Sequence, residues 1–263
     1  MNPDYNFLPG IAGAPYSTPL HLASANGNSE VVELLIQRNA TVDALDNSNL
    51  TPLHSALIIE KFNIVQRPIK NEVNVNAPSN RKLTPLHCAA ASGKLDAVKL
   101  LVDRGGYVNA RDDDRLTPIH LASEIGSIEV VELLVNSGTD VKTQDINDSS
   151  PLHRASENGS VELVKLLTYK GADVNGRDKK NVTPLHISSR CGPLETMKLL
   201  LEHSADPNAQ NDRGWSPLVT ITHCVTGWGC QSHEVFARVR GGREHNGRRP
   251  QNTAARCIAQ QKL

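Results

Sequence analysis

Aromatic residues are scarce. Three Phe, two Trp and four Tyr in 263 residues are few anchors for one large core, which favours several small cores or a partly open fold. An excess of either charge is also absent. The 28 Lys+Arg match the 28 Asp+Glu, so bulk attraction to nucleic acid or to a membrane surface is not indicated. No run of 18 apolar residues occurs, which excludes a transmembrane helix and membrane insertion through one. The first 17 residues carry Asp4 and lack a charged-then-apolar pattern, so no secretory leader is expected. Five cysteines without framework spacing point to reduced thiols and to the cytoplasm, with the nucleus as an alternative.

What the chain does have is a repeat. Thr18-Pro19-Leu20-His21 returns as Thr51-Pro52-Leu53-His54, Thr84-Pro85-Leu86-His87 and Thr117-Pro118-Ile119-His120. Ser150-Pro151-Leu152-His153 and Thr183-Pro184-Leu185-His186 follow, and Ser216-Pro217-Leu218 lacks the His. Every interval is 33 residues, the signature of a repeat architecture. Each copy has a mechanical reading. The hydroxyl caps a helix, Pro takes the first helical position where no donor is needed, and Leu opens the buried face. Small residues such as Ala89-Ala90 and Ala122-Ser123 admit a close neighbour. Gly27, Gly93, Gly126, Gly159 and Gly192 end the first helix. A second helix follows with a paired-Leu core, as at Leu100-Leu101 and Leu133-Leu134, and Gly105, Gly138 and Gly171 turn the chain after it.

On these motifs the sequence resembles the ankyrin-repeat family, from residue 14 to about 217. The resemblance implies an all-α solenoid of helix-turn-helix units with projecting β-hairpin fingers, each unit stabilised by its neighbours. The expected organisation is a lead-in at 1–13, six repeats and a partial seventh at 14–218, and a divergent segment at 219–263. The last segment holds seven Lys+Arg and two acids, which fits a folded cap, a disordered basic tail or an aberrant reading of the coding sequence.

The second repeat breaks the pattern. Arg67-Pro68 stand where the others have Leu-Leu, and Glu60 replaces the helix-ending Gly. An interior Pro costs ~3 kcal/mol or more, so a distorted or shortened second helix is expected at 64–71.

Enzymatic signatures are missing. Six of ten histidines sit in the repeated motif, and a residue that recurs once per unit reads as structural, bonding backbone between neighbouring loops as the resemblance implies. His223-Cys224 and Cys230-x-x-His233 have zinc-ligand types without a C-x-x-C knuckle. No phosphate-binding glycine loop occurs. Neither a cofactor nor a metal is expected, and no catalytic residue is assigned. Asn76, Asn109, Asn175 and Asn208 close successive fingers, where a short amide braces a turn. The resemblance adds hydroxylation of such an Asn as a second possibility, with Leu167 and Leu200 eight residues ahead of Asn175 and Asn208.

The positions that differ between repeats carry the functional expectation. They fall on finger tips and on the exposed side of first helices, which the resemblance places on a concave partner-binding face. The candidates are Asn80, Arg81, Asp113, Asp114, Leu116, Glu124, Ile125, Ile146, Glu157, Lys179, Lys180, Arg190, Arg213 and Trp215. Asp112, Asp113, Asp114, Glu124 and Glu157 make the middle acidic, whereas Arg177, Lys179, Lys180 and Arg190 make the later fingers basic. Complementary charge sets register and on-rate, and Trp215 is the hot-spot candidate. The expected function is a non-catalytic, monomeric scaffold or adaptor for a protein partner. The alternatives are a substrate-recruiting adaptor of a ubiquitin ligase and a nuclear regulator using the basic C-terminal segment. Nucleic acid is not expected as a partner.

Overall fold

The structure is a computed structural model that describes residues 17–61 and 73–224, with backbone alone for Cys191 and 221–224. The expected distortion at 64–71 and the nature of the segment beyond 224 lie outside the described residues.

Helices of two kinds alternate. The first kind follows each Thr/Ser-Pro pair: α1 (Pro19–Asn26), α3 (Pro52–Ile58), α4 (Pro85–Ser92), α6 (Pro118–Ile125), α8 (Pro151–Asn158), α10 (Pro184–Cys191) and α12 (Pro217–Cys224). The second kind comprises α2 (Ser29–Gln37), α5 (Leu95–Asp103), α7 (Ile128–Asn136), α9 (Val161–Tyr169) and α11 (Leu194–Glu202).

Local chemistry starts each first helix. Thr18, Thr51 and Thr183 hold extended backbone, and their hydroxyls accept the N–H of His21, His54 and His186. The His side chain reciprocates by accepting the cap residue's own N–H, so a reciprocal box closes with His in place of Glu. At the other end Gly27, Gly93, Gly126 and Gly159 take left-handed backbone, φ 66° to 81°, which suits a residue without Cβ.

Two helix ends depart from the expected pattern. Glu60 occupies the same left-handed position with φ 59°, its N–H bonded to Leu57 O. Gly192 is extended instead (φ −88°, ψ 161°), because Pro193 follows and excludes helical backbone from the residue before it. Glycine is needed there for space: an added Cβ would lie 2.9 Å from Ser188 O.

The chain forms two compact units, residues 1–146 and 147–263. In the first, α1 packs on α3, α3 on α4, α4 on α6, and α5 on α7. In the second, α8 packs on α10, α10 on α12, and α9 on α11. Leu20, Leu53, Leu86, Ile119, Leu152 and Leu185 open the first helices and are all buried. In four of the pairs the second Leu carries the core: Leu101, Leu134, Leu167 and Leu200 are fully buried, each stabilising by about 2 kcal/mol. Their partners Leu100, Leu133, Leu166 and Leu199 are half-buried, and Leu34 is exposed.

The fingers are tight turns, with no strand among the described residues. Paired backbone bonds close them, such as Asp112 N–H to Leu116 O and Arg115 N–H to Asp112 O, both at 3.0 Å. A left-handed residue sits at the tip: Asn49, Lys82, Arg115, Asp148, Asn181 and Gly214. Successive fingers are joined by further bonds. Asn80 N–H reaches Ser48 O, Asp113 N–H reaches Arg81 O, and Ile146 N–H reaches Asp114 O in the first unit. Lys179 N–H reaches Asn147 O and Asp212 N–H reaches Lys180 O in the second.

Candidate partner-binding surface

The repeated histidines are consumed by the stack. Thr84 N–H donates to His87 Nδ1 at 3.1 Å, and His87 Nε2 lies 3.1 Å from Leu116 O, 29 residues on. The same bridge joins His21 to Leu50 O, His54 to Leu83 O, His153 to Val182 O and His186 to Trp215 O. A backbone N–H can only donate, so Nδ1 must accept and Nε2 must carry the proton. The imidazole is therefore neutral in this geometry. Burial, the dominant cause, holds the pKa of His54 and His87 down at about 4. Burial also lowers that of His186, and the charge of Arg177 acts in the same direction. These rings bridge the cap residue of their own helix to the next finger, in keeping with the structural reading.

The finger asparagines do comparable work. Asn76 Nδ2 donates to Gly105 O at 2.9 Å while its Oδ1 accepts Tyr107 N–H at 2.7 Å. Asn109 repeats this with Gly138 O and Asp140 N–H, and Asn175 with Ser204 O and Asp206 N–H. Each amide thus clamps the following repeat by both ends. Cys88 is fully buried, and its thiol is pushed up to about 12 by that burial, which makes it a packing residue rather than a nucleophile. The side chains of His223, Cys224, Cys230 and His233 lie outside the described set.

The surface candidates separate by environment. Leu116 is 1% exposed and belongs to the interior, where its carbonyl receives both Asp112 N–H and the His87 bridge. It is not a partner contact. Asp112 also leaves the acidic patch: it is buried, its Oδ1 accepts Leu116 N–H at 2.7 Å, and burial raises its pKa. Arg81 and Asp114 form an ion pair at 2.7 Å, and Lys82 pairs with Asp113 at 3.0 Å. Basic and acidic fingers thereby neutralise each other, each exposed pair contributing about 0–1 kcal/mol. Asn80 Nδ2 donates to Asn47 O. Ile125 and Ile146 are exposed at 54% and 42%, Glu124 is half-buried, and Glu157 and Lys179 are exposed.

Four candidates come together in the second unit. Lys180, Arg190, Arg213 and Trp215 line one groove of about 470 Å³ beside Val182, His186, Ile187 and Asp212. The finger at 211–215 and helix α10 position them. Asn211 Oδ1 accepts Arg213 N–H and Trp215 N–H, fixing the turn. The Arg213 guanidinium lies 5.2 Å from the Trp215 ring centroid, a cation–π arrangement. The indole is half-buried, and His186 ties its backbone to the helix below. The Arg81–Asp114 and Lys82–Asp113 pairs had a signal in the sequence: 33 residues separate the first pair, one repeat, and 31 the second.

Ankyrin repeats in three copies match residues 7–76, 58–145 and 119–211, and the chain belongs to the ankyrin-repeat family, whose domains are in general non-catalytic protein-interaction modules. Two solved structures are similar to it. The human ASB11 ankyrin repeat domain superposes with a TM-score of 0.76 at 24% identity, over 87% of this chain and all of that one. The ankyrin repeat domain of Bcl-3, a member of the IkappaB protein family, superposes with a TM-score of 0.67 at 28% identity, over 84% of this chain and 99% of that one. No curated protein sequence matches the chain. Among the described residues no helix is long and apolar enough to cross a membrane.

Proposed function

We propose that the chain is a non-catalytic scaffold or adaptor, acting as a monomer in the cytoplasm, that holds a partner protein on its finger and first-helix surface. The observation that carries this reading is the groove at Lys180, Arg190, Arg213 and Trp215. It gathers Lys180, Arg190, Arg213 and a half-buried indole at positions that differ from repeat to repeat, and Arg and Trp are residue types enriched at binding hot spots. The histidines and finger asparagines, by contrast, are tied into the stack. A preformed groove loses little order on binding, which favours affinity. The likeness to ASB11, at 24% identity, carries the fold alone and lends no support to a ubiquitin-ligase role.

The test is affinity capture from source lysate with three full-length baits. One is the native chain, one carries Lys180→Ala with Arg213→Ala, and one carries Arg248→Ala with Arg249→Ala. A partner kept by the third and lost by the second supports the reading. The reverse moves the function to the basic C-terminal segment.

A further inference from the structure

We infer that the Trp215 groove takes an acidic, extended segment of a partner protein, its carboxylates set against Lys180 and Arg213 and an apolar side chain set against the indole. This rests on the protein-binding reading and adds the chemistry of the occupant.

Charge supplies the first argument. Three cations line the groove and one carboxylate, Asp212, opposes them. That carboxylate is already engaged, because Asn181 Nδ2 donates to its Oδ1 at 2.6 Å. With three cations to one anion the lining has a positive surplus even though the chain as a whole is neutral. Field in a walled groove is focused, which concentrates ligands of opposite charge. The form of the cations is the second argument. Arg213 lies over the indole, and a guanidinium held by an aromatic ring loses less freedom when its planar fork grips a carboxylate. Third, Val182 and Ile187 add apolar surface beside Trp215, so the occupant needs an apolar residue among its acids.

Backbone pairing is not the mode of recognition. Lys180 O receives Asp212 N–H, Trp215 O receives the His186 bridge, and Trp215 N–H goes to Asn211 Oδ1. Recognition falls to side chains, so it depends on composition and on salt. A nucleic-acid strand would supply anions too, yet it binds by stacking bases on open aromatic faces. Here Trp215 is the one large aromatic side chain among the described lining residues, which leaves no row of faces for successive bases, and Asp212 stands in the lining.

The experiment selects a display library of random dodecapeptides on the immobilised full chain. Peptides with Asp or Glu on both sides of an apolar residue should be enriched. Selected peptides should bind Lys180→Glu/Arg213→Glu at least about tenfold more weakly, and should weaken as NaCl rises from 50 to 300 mM. Both substituted side chains are exposed, and thermal unfolding of the variant should match the native chain. Acidic peptides indifferent to this variant but lost on Arg81→Glu or Ile146→Asp would overturn the inference and leave the scaffold reading standing. Selected peptides without acids overturn the inference, as does equal competition by an oligo-dT strand. Failure to select any peptide counts against both readings.

Discussion

Acid should destabilise this stack well before its carboxylates titrate, through His54 and His87. Both rings are buried, both must be neutral to accept Thr51 N–H and Thr84 N–H at Nδ1, and both have a pKa near 4 in place of 6.5. A depressed His pKa means that the unfolded chain binds more protons between those two values. Stability is then fully present above pH 6.5 and is lost as pH falls toward 4. A fall from 6.5 to about 4 corresponds to about 3 kcal/mol per residue when complete. Between pH 7.5 and 5.5 roughly 1 kcal/mol per residue is lost, or about 2–3 for the pair. That is a large part of an ordinary domain's stability. The assay is urea unfolding of the full chain across pH 7.5, 6.5 and 5.5, beside His54→Gln/His87→Gln, which should be less stable at pH 7.5 and show a flatter pH dependence. Nitrogen NMR of the rings checks the cause directly: both should stay neutral, protonated on Nε2, down to pH 5. An imidazolium signal from either ring at pH 6 would refute the reasoning, as would equal pH slopes for variant and native chains.

Three further outcomes are expected. Glu60→Gly should stabilise by about 1 kcal/mol in urea unfolding, since Glu60 holds left-handed backbone at φ 59° where four other repeats use glycine. Ser123→Ala should be neutral or stabilising by up to about 1 kcal/mol, because Ser123 Oγ is buried without a hydrogen-bond partner and Ala90 occupies the equivalent site. Asn175→Ala should cost about 1–2 kcal/mol and speed amide exchange at Asp206, whose N–H loses its acceptor.

Much of the fold was legible because each repeat carries its own local code. Thr-Pro-Leu-His specifies a cap, a first turn and a bridge in four residues, and the structure uses all of them. The left-handed glycines were equally plain, apart from Gly192, where the next residue decides. Leu116 was misread because it stands next to a finger tip, at Arg115. The turn bond from Asp112 N–H to Leu116 O folds it back into the interior. The acidic middle looked continuous along the chain, but charge compensation runs across fingers, where Arg81 meets Asp114. The spacing of about one repeat was the signal that could have found these pairs. The groove was visible as four separate candidates, since position 180 belongs to one finger, 190 to a helix, and 213 and 215 to the next finger.

Partners should be held on the finger and first-helix surface and not on the second helices. A photo-crosslinking residue placed at Arg213, in the groove, and separately at Tyr169, 84% exposed on α9, tests it most directly in source lysate. A discrete protein adduct is expected from position 213, and none of the same mass from position 169. An adduct from 169 with none from 213 would contradict it.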